Sequence, residues 1–488
     1  METRFDVAVI GGGVVGCAIA RELTKYRLTV ALLEKECDVA LGTSGRNSGV
    51  SHAGFYVPTG TFKAKLNIEG HEMMPPFCKE LGVPYLPVGK IVTAKEEEER
   101  EYLYKLKATG EKNGCKKLRI IDDKEIKRLE PNINGIEALH SPTTSILDPF
   151  LLTIALAENA HRNGARVILN TQVTEIDQTS DGFRIVSNNG NYTAGIVINS
   201  AGLYSDKIAA MVGIDDYKIY PCRGEYHILD KNKRNLINGA VYPVPPKELG
   251  GLGIHLTPTT DGNIMLGPSA EYLPEADDYG NTADVMDKLF MESFEFLPKI
   301  SRKDIIKSFS GIRPKLIAAG SKAPADFILE ESRKVPGFIN LIGIESPGLT
   351  GAPAIAKRVA AMVKEIRGGL AENGAFDPVE KPKIRFAELS HREKSDLIKK
   401  DPNYGVIVCR CQTVTKKEVM DALNNPFCAR SIYSVSKRCR ATLGRCQGGF
   451  CAPKIIEIME ELYHPKTSDM NYSGKGSELF TGKKEGVE

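Results

Sequence analysis

Residues 5–36 read FDVAVIGGGVVGCAIARELTKYRLTVALLEKE, and this stretch decides the first part of the fold. The apolar run that ends at Ile10 is typical of a buried strand. Residues 14–25 have the pattern of a helix, and residues 29–34 that of a second strand. A strand, a glycine-rich turn, a helix and a second strand together predict a βαβ unit.

The turn in this unit fits the GxGxxG fingerprint through Gly11, Gly13 and Gly16. We expect Gly11 to permit a tight turn, Gly13 to let a pyrophosphate approach the backbone, and Gly16 to allow close packing of helix on strand. The phosphates would lie at the helix N-terminus, where free N–H groups favour negative charge. Glu34 is placed to accept hydrogen bonds from a ribose hydroxyl. These residues predict a dinucleotide site without distinguishing FAD from NAD.

Later parts of the chain contribute more of the same domain. Further strand patterns lie at residues 165–169, 195–199 and 337–342. A glycine-rich turn and a helix at 352–366 follow the last of them. Between these pieces, alternation at 222–229 and 253–266, with a hairpin signal at Asp261-Gly262, predicts a substrate domain on an antiparallel sheet.

The predicted fold class is therefore α/β, with a discontinuous Rossmann-like nucleotide domain, an inserted antiparallel-sheet substrate domain and a small α-rich C-terminal domain. The predicted ranges are 1–80, 145–215 and 310–366 for the nucleotide domain, 81–144 and 216–309 for the substrate domain, 367–403 for a linker, 404–465 for the C-terminal domain, and 466–488 for a flexible tail.

Composition argues against several classes of function. A net charge of +3 over 488 residues is not that of a polyanion binder, so we expect no nucleic-acid partner. No apolar run approaches the ~20 residues of a membrane-spanning helix, so we expect no direct membrane insertion. The first residues lack the pattern of a secretory signal. We therefore expect a cytoplasmic protein that could associate with a membrane only through a partner.

Six of the 11 cysteines fall between residues 409 and 451. Cys409 and Cys411 form a CxC pair, and after a gap of 34 residues Cys446 and Cys451 form a CxxxxC pair. Four thiolates suit a [2Fe-2S] cluster or a structural zinc ion. Zinc ribbons favour CxxC at both ends, so the spacing favours the cluster and leaves zinc open.

Other residues near these pairs have several possible roles. Cys428 and Cys439 are not needed as ligands, and we expect them to be buried thiols. Four basic residues could offset the charge of a cluster, form a docking face or simply be solvated: Lys437, Arg438, Arg440 and Arg445.

Three further segments make residues 5–365 resemble the D-amino-acid-oxidase-like FAD oxidoreductases, and within them the glycerol-3-phosphate and L-2-hydroxyglutarate dehydrogenases. They read TSGRNSGVSHAG at 43–54, VINSAGLYSD at 197–206 and SPGLTGA at 346–352. The resemblance implies FAD as the cofactor, with a helix N-terminus aimed at the flavin pyrimidine. The cofactor-binding residues it implies are Gly11, Gly13, Val14, Val15, Gly16, Glu34, Lys35, Thr43, Ser44, Arg46, Asn47, Ser48, Gly49, Val173, Ala201, Gly202, Gly348, Leu349 and Thr350.

Oxidation of an alcohol needs a base for the hydroxyl proton while a hydride goes to the flavin. Histidine suits this role because its ordinary pKa of ~6.5 is close to working pH. His52 follows the FAD segment and resembles the family's histidine there, and His255 lies on a predicted substrate-domain strand. A structural imidazole is the alternative for each.

An anionic substrate needs fixed positive charge, which guanidinium groups supply in a bidentate form. Arg313 resembles the family's substrate-binding arginine, so we expect it to bind substrate and take part in catalysis. Lys315 and Arg223 are further candidates, and a solvated side chain is the alternative for Arg223. Tyr56 could add a hydroxyl donor at the rim of the pocket.

The substrate is expected to be one of two small anionic hydroxy compounds. Residues 223–229 and 266–270 look more like L-2-hydroxyglutarate dehydrogenases, and residues 346–352 lack the lysine-bearing segment usual in glycerol-3-phosphate enzymes. Residues 408–451, however, resemble the bacterioferritin-associated-ferredoxin-like [2Fe-2S] domain, which also ends the large subunit of anaerobic glycerol-3-phosphate dehydrogenases.

The resemblance therefore ranks glycerol 3-phosphate oxidation to dihydroxyacetone phosphate first, with electrons passed through a [2Fe-2S] cluster to a partner subunit. L-2-hydroxyglutarate dehydrogenase and a non-catalytic electron-transfer subunit are the alternatives, and an amine or imino-acid dehydrogenase ranks below them.

Overall fold

Two large sheets organise the computed structural model, which describes residues 3–245, 253–321 and 325–480. The strands are β1 Thr3–Ile10, β2 Val30–Leu33, β3 Val50–Ser51, β4 Tyr85–Leu86, β5 Lys90–Ala94, β6 Arg119–Asp122, β7 Glu137–Ser141, β8 Ser145–Leu147, β9 Arg166–Ile168, β10 Val173–Thr179, β11 Gly182–Ser187, β12 Gly190–Asn199, β13 Tyr220–Leu229, β14 Ala240–Pro243, β15 His255–Pro258, β16 Ile264–Gly267, β17 Glu271–Tyr272, β18 Ile305–Lys315, β19 Ile328–Glu331, β20 Phe338–Ile342, β21 Ile407–Cys409 and β22 Val414–Thr415. The helices are α1 Val14–Leu23, α2 Phe62–Glu80, α3 Arg100–Asn113, α4 Asp123–Leu129, α5 Pro149–Arg162, α6 Ser205–Ala210, α7 Ala283–Phe296, α8 Gly348–Ile366, α9 His391–Lys400, α10 Lys416–Leu423, α11 Ile432–Cys439 and α12 Ala452–Tyr463.

The first sheet has the order β10-β11-β12-β1-β2-β9, with β20 beside β12 and β19 beside β20. Its central strands run parallel: β1 pairs with β2 and β12, β2 with β9, and β12 with β20. Helices α1, α5 and α8 bury apolar side chains in one core with these strands, including Ile19, Leu156 and Ile355. The predicted discontinuous Rossmann-like domain is confirmed.

The second sheet has the order β17-β13-β16-β15-β14-β5-β7-β6, with β18 along the other edge of β13. The hairpin predicted at Asp261-Gly262 joins β15 to β16. The expectation of a purely antiparallel sheet is wrong at one place, because β14 and β5 pair in parallel. These strands come from separate inserts and are not joined by a hairpin, so their connection does not require opposite directions. The predicted boundary at residue 310 falls inside β18, so Arg313 lies on this sheet.

The predicted linker at 367–403 packs closely on the first domain. Arg21 of α1 is 2% exposed and donates to the Pro378 carbonyl at 3.1 Å, while its guanidinium lies 5.5 Å from the centre of the Phe376 ring. Asn163 accepts from the Asp377 N–H at 2.7 Å. These contacts hold the start of the segment against α1 and α5, and α9 follows later in it.

The C-terminal domain combines helices α10, α11 and α12 with the hairpin β21–β22. The tail that follows was expected to be flexible, but its described part packs on α11. Met470 is 1% exposed, and the Tyr433 N–H donates to the Tyr472 carbonyl at 2.8 Å. Apolar and aromatic side chains spread through this polar stretch explain the difference. Residues 481–488 of the predicted tail lie outside the described residues.

Two buried arginines attach the C-terminal domain to the rest of the chain. Arg438 forms a bidentate pair with Asp38 and lies 3.5 Å from Glu158 of α5. Arg440 contacts Asp148, and its Nε lies 2.9 Å from Asp261 in the β15–β16 turn. These two guanidinium groups are buried and paired with carboxylates, so the alternative of a solvated loop is wrong for them; buried charge is stable only beside opposite charge.

None of the helices in the three described ranges is long and apolar enough to cross a bilayer.

Replacing Asp38 should weaken the attachment of the C-terminal domain. The Asp38→Ala variant leaves the buried Arg438 guanidinium without its bidentate partner, which should lower the free energy of unfolding by about 3 kcal/mol or more. Urea unfolding followed by circular dichroism measures this change. The control is Arg445→Met, which removes an exposed pair with Asp230 and should cost about 1 kcal/mol or less. Equal effects of the two variants would contradict the buried-pair argument.

Candidate active site

A cavity of about 1370 Å³ is lined by residues from both large sheets. This volume exceeds the roughly 300–1,000 Å³ of common ligand pockets. The cavity therefore has room for a dinucleotide and a second, smaller ligand.

The glycine turn forms one wall of this cavity and leaves no space for side chains. Gly11 has a φ of +109°, and a Cβ there would lie 2.6 Å from the Ser200 carbonyl oxygen. A Cβ on Gly16 would lie 2.0 Å from the Gly11 carbonyl oxygen. The backbone of β1, the N-terminus of α1 and the end of β12 can therefore approach closely only with glycine at these positions.

Glu34 closes the same wall from the end of β2. Its carboxylate accepts hydrogen bonds from the N–H groups of Gly12 at 2.5 Å and of Glu36 at 2.9 Å. Burial raises the pKa of this carboxyl group. Ser44 accepts from the Val14 N–H at 2.9 Å, so it caps the first turn of α1. The sequence pattern did not predict the roles of Gly12 and Ser44 at the helix N-terminus.

Most of the predicted cofactor-binding residues line the cavity: Gly11, Gly13, Val14, Val15, Glu34, Lys35, Thr43, Ser44, Arg46, Asn47, Ser48, Val173, Ala201, Gly202, Gly348 and Leu349. Gly16, Gly49 and Thr350 do not. Gly49 occupies a turn with φ +66°, and Thr350 accepts a hydrogen bond from the backbone N–H of His52 at 3.0 Å. These three residues shape the wall, and individual contacts with FAD stay a prediction.

The register of the second sheet brings three residues that line the cavity onto one face. Val241 pairs with Leu256, so Tyr242 lies opposite His255, and Ala240 pairs with Lys90. Side chains alternate between faces along a strand, so Lys90, Tyr242 and His255 share the face opposite that of Val241 and Leu256. All three line the cavity.

Both candidate bases meet in this part of the cavity. The His255 ring stacks on Tyr242 with 3.6 Å between ring centres, and its Nδ1 has no hydrogen-bond partner in the described structure. His52 Nε2 lies 3.4 Å from Ser346 Oγ. Burial, followed by the charge of Lys90, lowers the pKa of both histidines well below the ordinary ~6.5. Both imidazoles are therefore neutral near pH 7 and able to accept a proton.

The predicted cationic residues differ in how far they are already paired. Arg313 lines the cavity and donates to the Ser269 carbonyl at 2.6 Å, and no carboxylate of the described residues lies within ion-pair distance of it. Lys315 lies 3.9 Å from Glu345, which also pairs with Lys63 at 3.1 Å. Arg313 is thus the guanidinium best placed for an anion.

Arg223, the other predicted arginine, is already paired with carboxylates. Its guanidinium lies 2.6 Å from Glu271, 2.7 Å from Asp278 and 3.4 Å from Glu225. It does not line the cavity. Three carboxylates already balance its charge, so its role is to hold the edge of the sheet. Tyr56, by contrast, lines the cavity, with its hydroxyl buried and unpaired in the described ranges.

Lys90 and Ser346 are among the polar residues of the cavity that sequence reasoning missed. Lys90 is 2% exposed and its ammonium has no hydrogen-bond partner among the residues described. Ser346 contacts His52 from the turn before α8. Ser346 stood within a segment already singled out, whereas Lys90 gave no signal because a lysine in a strand is usually solvated.

The four predicted cysteine ligands come together in the C-terminal domain. Cys409 and Cys411 have their sulfur atoms 3.8 Å apart, and with Cys446 and Cys451 they line a cavity of about 240 Å³. Within the described ranges no three metal-ligating side chains converge as they do around a single ion. Four thiols around a small volume suit a [2Fe-2S] cluster or a structural zinc ion.

The backbone around these thiols is shaped for close approach. A Cβ on Gly444 would lie 2.4 Å from Cys411 Sγ. Hydrogen bonds from the backbone at Phe450 and Gly448 lower the pKa of the Cys446 thiol, which favours the thiolate. Cys428 was expected to be buried but is exposed, because it follows α10 in a surface turn.

Comparison with known proteins identifies the family. Residues 6–362 match the model of the FAD dependent oxidoreductases. The chain belongs to this family. Residues 407–461 match the BFD-like [2Fe-2S] binding domain. The protein is therefore an FAD-dependent oxidoreductase that carries a [2Fe-2S] cluster.

Individual relatives point to hydroxy-compound chemistry. A glycerol 3-phosphate dehydrogenase of Caloramator mitchellensis is 40% identical over 488 residues, which is 98% of both chains. The mitochondrial L-2-hydroxyglutarate dehydrogenase of Caenorhabditis elegans is 32% identical and covers 73% of this chain and 93% of its own. The structure of L-alpha-glycerophosphate oxidase from Mycoplasma pneumoniae with FAD bound is 32% identical, with a TM-score of 0.72 over 78% of this chain and 99% of its own.

Both cofactors of this FAD-dependent oxidoreductase fit the residues present. The glycine turn is a cradle that any Cβ would obstruct, and Glu34 stands beside it at the end of β2. The helix α8 begins at the cavity wall with Gly348 and Leu349, where its positive end would stabilise negative charge on the flavin. The four thiols are the ligand set that [2Fe-2S] clusters use.

The variant Gly16→Ala should lose FAD. The added methyl group would meet the Gly11 carbonyl and force β1 and α1 apart, which disturbs the N-terminus that receives the pyrophosphate. We expect purified protein with a large loss of bound FAD, measured by absorbance and by fluorescence titration of apoprotein. Gly374→Ala is the control, since nothing lies within 4 Å of its added Cβ. Normal FAD binding by Gly16→Ala would contradict the close-packing argument.

The variant Cys411→Ala should lose the cluster while keeping the flavin. Three thiolates leave one iron with an incomplete ligand set, so iron content and cluster absorbance should fall sharply, while flavin absorbance is retained. Cys428→Ala serves as the matched control because this exposed thiol lies outside the cysteine cavity. Retention of full iron content in Cys411→Ala would show that the cluster is bound elsewhere.

Proposed function

We propose that this oxidoreductase converts glycerol 3-phosphate to dihydroxyacetone phosphate and passes the electrons through its [2Fe-2S] cluster to a partner protein. The similarity to a glycerol 3-phosphate dehydrogenase over the full length, including the C-terminal domain, carries the proposal. L-2-hydroxyglutarate dehydrogenases resemble the chain over a smaller part. A cytoplasmic location is part of the same proposal.

The charges in the cavity support a substrate with a fixed anion. The Arg313 guanidinium is not paired with a carboxylate in the described structure, and a guanidinium binds phosphate in a bidentate manner. A Cβ on Gly224 would lie 2.5 Å from Arg313 Nη2, so the absence of a side chain on this neighbouring strand lets the arginine lie flat on the sheet. Arg313 would anchor the phosphate and fix the orientation of the alcohol carbon.

The neutral imidazoles support oxidation of a secondary alcohol. Bound FAD supplies the hydride acceptor for this chemistry. His52 or His255 would accept the hydroxyl proton, because both lie in the cavity and burial favours the neutral imidazole, which has a free lone pair. Ser346 holds His52 from one side, and Thr350 holds its backbone. The stacked Tyr242 fixes the plane of the His255 ring.

L-2-hydroxyglutarate is the second candidate substrate, because a relative that is 32% identical is an L-2-hydroxyglutarate dehydrogenase. It also has a secondary alcohol, with one carboxylate on the alcohol carbon and a second carboxylate at the far end, and a guanidinium binds carboxylate as it binds phosphate. The two substrates therefore differ in the distant anionic group and in the group on the alcohol carbon, and they share the oxidation of a secondary alcohol.

Anaerobic stopped-flow reduction tests the proposal. Glycerol 3-phosphate should bleach the flavin faster, at equal concentration, than L-2-hydroxyglutarate does, and cluster reduction should follow. Arg313→Met should weaken substrate binding by about 100-fold, because it removes a charge-assisted contact to a buried anion. The control Arg302→Met removes an exposed pair with Asp287 and should leave binding unchanged. Faster reduction by L-2-hydroxyglutarate would reverse the substrate assignment, and flavin reduction that never reaches the cluster would overturn the electron path.

A further inference from the structure

Lys90 is a buried cation in the substrate part of the cavity that the chemistry above does not use. It begins β5, which lies between β7 and β14 in the middle of the second sheet. Its backbone is paired on both sides, with Ser141 and with Ala240. The position of this side chain is therefore set by a sheet and not by a mobile loop.

The surroundings of the ammonium group are aromatic. Lys90 Nζ lies 3.8 Å from the centre of the Tyr242 ring, 5.1 Å from that of Tyr56 and 5.3 Å from that of Phe55. Cation–π attraction offsets part of the cost of burying the charge. Aromatic rings, however, are not hydrogen-bond acceptors of the kind that an ammonium group needs. Among the described residues, no acceptor lies within hydrogen-bond distance of Lys90 Nζ.

Other cations at this end of the cavity already have oxygen partners. Lys63 and Lys315 share the Glu345 carboxylate, and Arg313 donates to a carbonyl oxygen. Burying an unpaired ammonium is costly, and a fold retains such a group when a ligand completes it. The missing partner of Lys90 is therefore an oxygen atom of the molecule that occupies the cavity.

The neighbours of Lys90 indicate which oxygen atom this is. His255 stacks on the same Tyr242 ring that Lys90 contacts, and the charge of Lys90 acts on His52 as well as on His255. A base that takes the hydroxyl proton must lie within hydrogen-bond reach of the hydroxyl oxygen. The Tyr242 ring lies between Lys90 and His255, so one oxygen atom cannot contact both. His52 is therefore the imidazole that can share the hydroxyl oxygen with Lys90, while Arg313 remains for the anionic group.

We propose that Lys90 is a further catalytic residue, whose ammonium group donates to the hydroxyl oxygen of the substrate and stabilises negative charge there as the proton moves to His52. The inference rests on the proposed oxidation of a secondary alcohol and holds for either candidate substrate. The O–H proton would go to the His52 imidazole, and bound FAD would supply the acceptor for the hydride that leaves the alcohol carbon as the C=O bond forms. The ammonium keeps its own proton throughout.

The pH dependence of this step has two limbs with opposite signs. Lys90, His71 and Ser346 face His52, and Tyr56 and Tyr242 face Lys90 beside the Phe55 ring. The imidazole must be neutral, so the rate falls only below its lowered pKa. Lys90 must be charged, and burial lowers its pKa to about 7, so the second-order rate constant for flavin reduction should fall as the pH rises through that value.

Three variants test the proposal in the holoenzyme by stopped-flow flavin reduction. Lys90→Met should lower the limiting reduction rate by about 100-fold or more, as loss of one preorganised donor does, with little change in substrate Kd. Lys90→Arg keeps its charge at all accessible pH values, so it should retain part of the rate and lose the fall above pH 7. Lys95→Met is the matched control: Lys95 follows the same strand and contacts the Phe296 ring, but it is exposed outside the cavity, so its variant should behave as wild type.

The outcomes separate the proposal from the function on which it rests. If neither glycerol 3-phosphate nor L-2-hydroxyglutarate reduces the wild-type flavin, the proposed function fails and Lys90 loses this role with it. If the wild type is reduced and Lys90→Met matches its limiting rate, the role of Lys90 alone is overturned. A weakened Kd at an unchanged limiting rate would likewise overturn it and assign Lys90 to anchoring the anion. Lys90→Gln replaces the Met variant if the latter fails to bind FAD.

Discussion

The pairing of β14 with β15 on one side and with β5 on the other is the constraint on which the substrate chemistry depends. Side chains alternate along each strand, so a shift of one residue in either pairing would turn His255 or Lys90 away from the cavity. Glycine keeps the neighbouring strands flat: a Cβ on Gly267 would lie 2.6 Å from the Glu225 carbonyl oxygen. The register therefore fixes which polar groups meet the substrate.

The same sheet also fixes the position of the cofactor segment at residues 43–54. A Cβ on Gly311 would lie 1.9 Å from the Arg46 carbonyl oxygen, and Thr43 donates to the Ile312 carbonyl at 2.7 Å. The segment thus packs directly on β18. Its contact residue on that strand, Gly311, is two positions before Arg313. The strand β18 carries both the contact to the cofactor segment and Arg313, the candidate anchor of the substrate. The relative positions of the two ligand sites therefore depend on this one strand.

The sequence was sufficient to predict the parts of the site that depend on local backbone geometry. Gly11, Gly13 and Glu34 form a short motif whose spacing is set by one βαβ unit, and the two cysteine pairs are similarly local. The surroundings of Arg223 and Lys90 could not be predicted in this way. The carboxylates that neutralise Arg223 come from positions up to 55 residues away. The burial of Lys90 follows from strand pairing between separate inserts, which no local pattern reveals.

The attachment of the C-terminal domain links the two cofactors through structure. Helix α11 carries Arg438, which pairs with Asp38 just beyond β2, and it also carries Tyr433, which lines the large cavity. Ser473, from the segment after α12, lines the same cavity. The iron-sulfur domain thus completes part of the wall around the dinucleotide site. The buried guanidinium groups of this domain need carboxylates from the rest of the chain. Separation of the domain would therefore leave the arginines and their carboxylate partners unpaired. It would also open the cofactor cavity. A stable cofactor wall and a fixed place for the cluster are therefore two results of the same ion pairs.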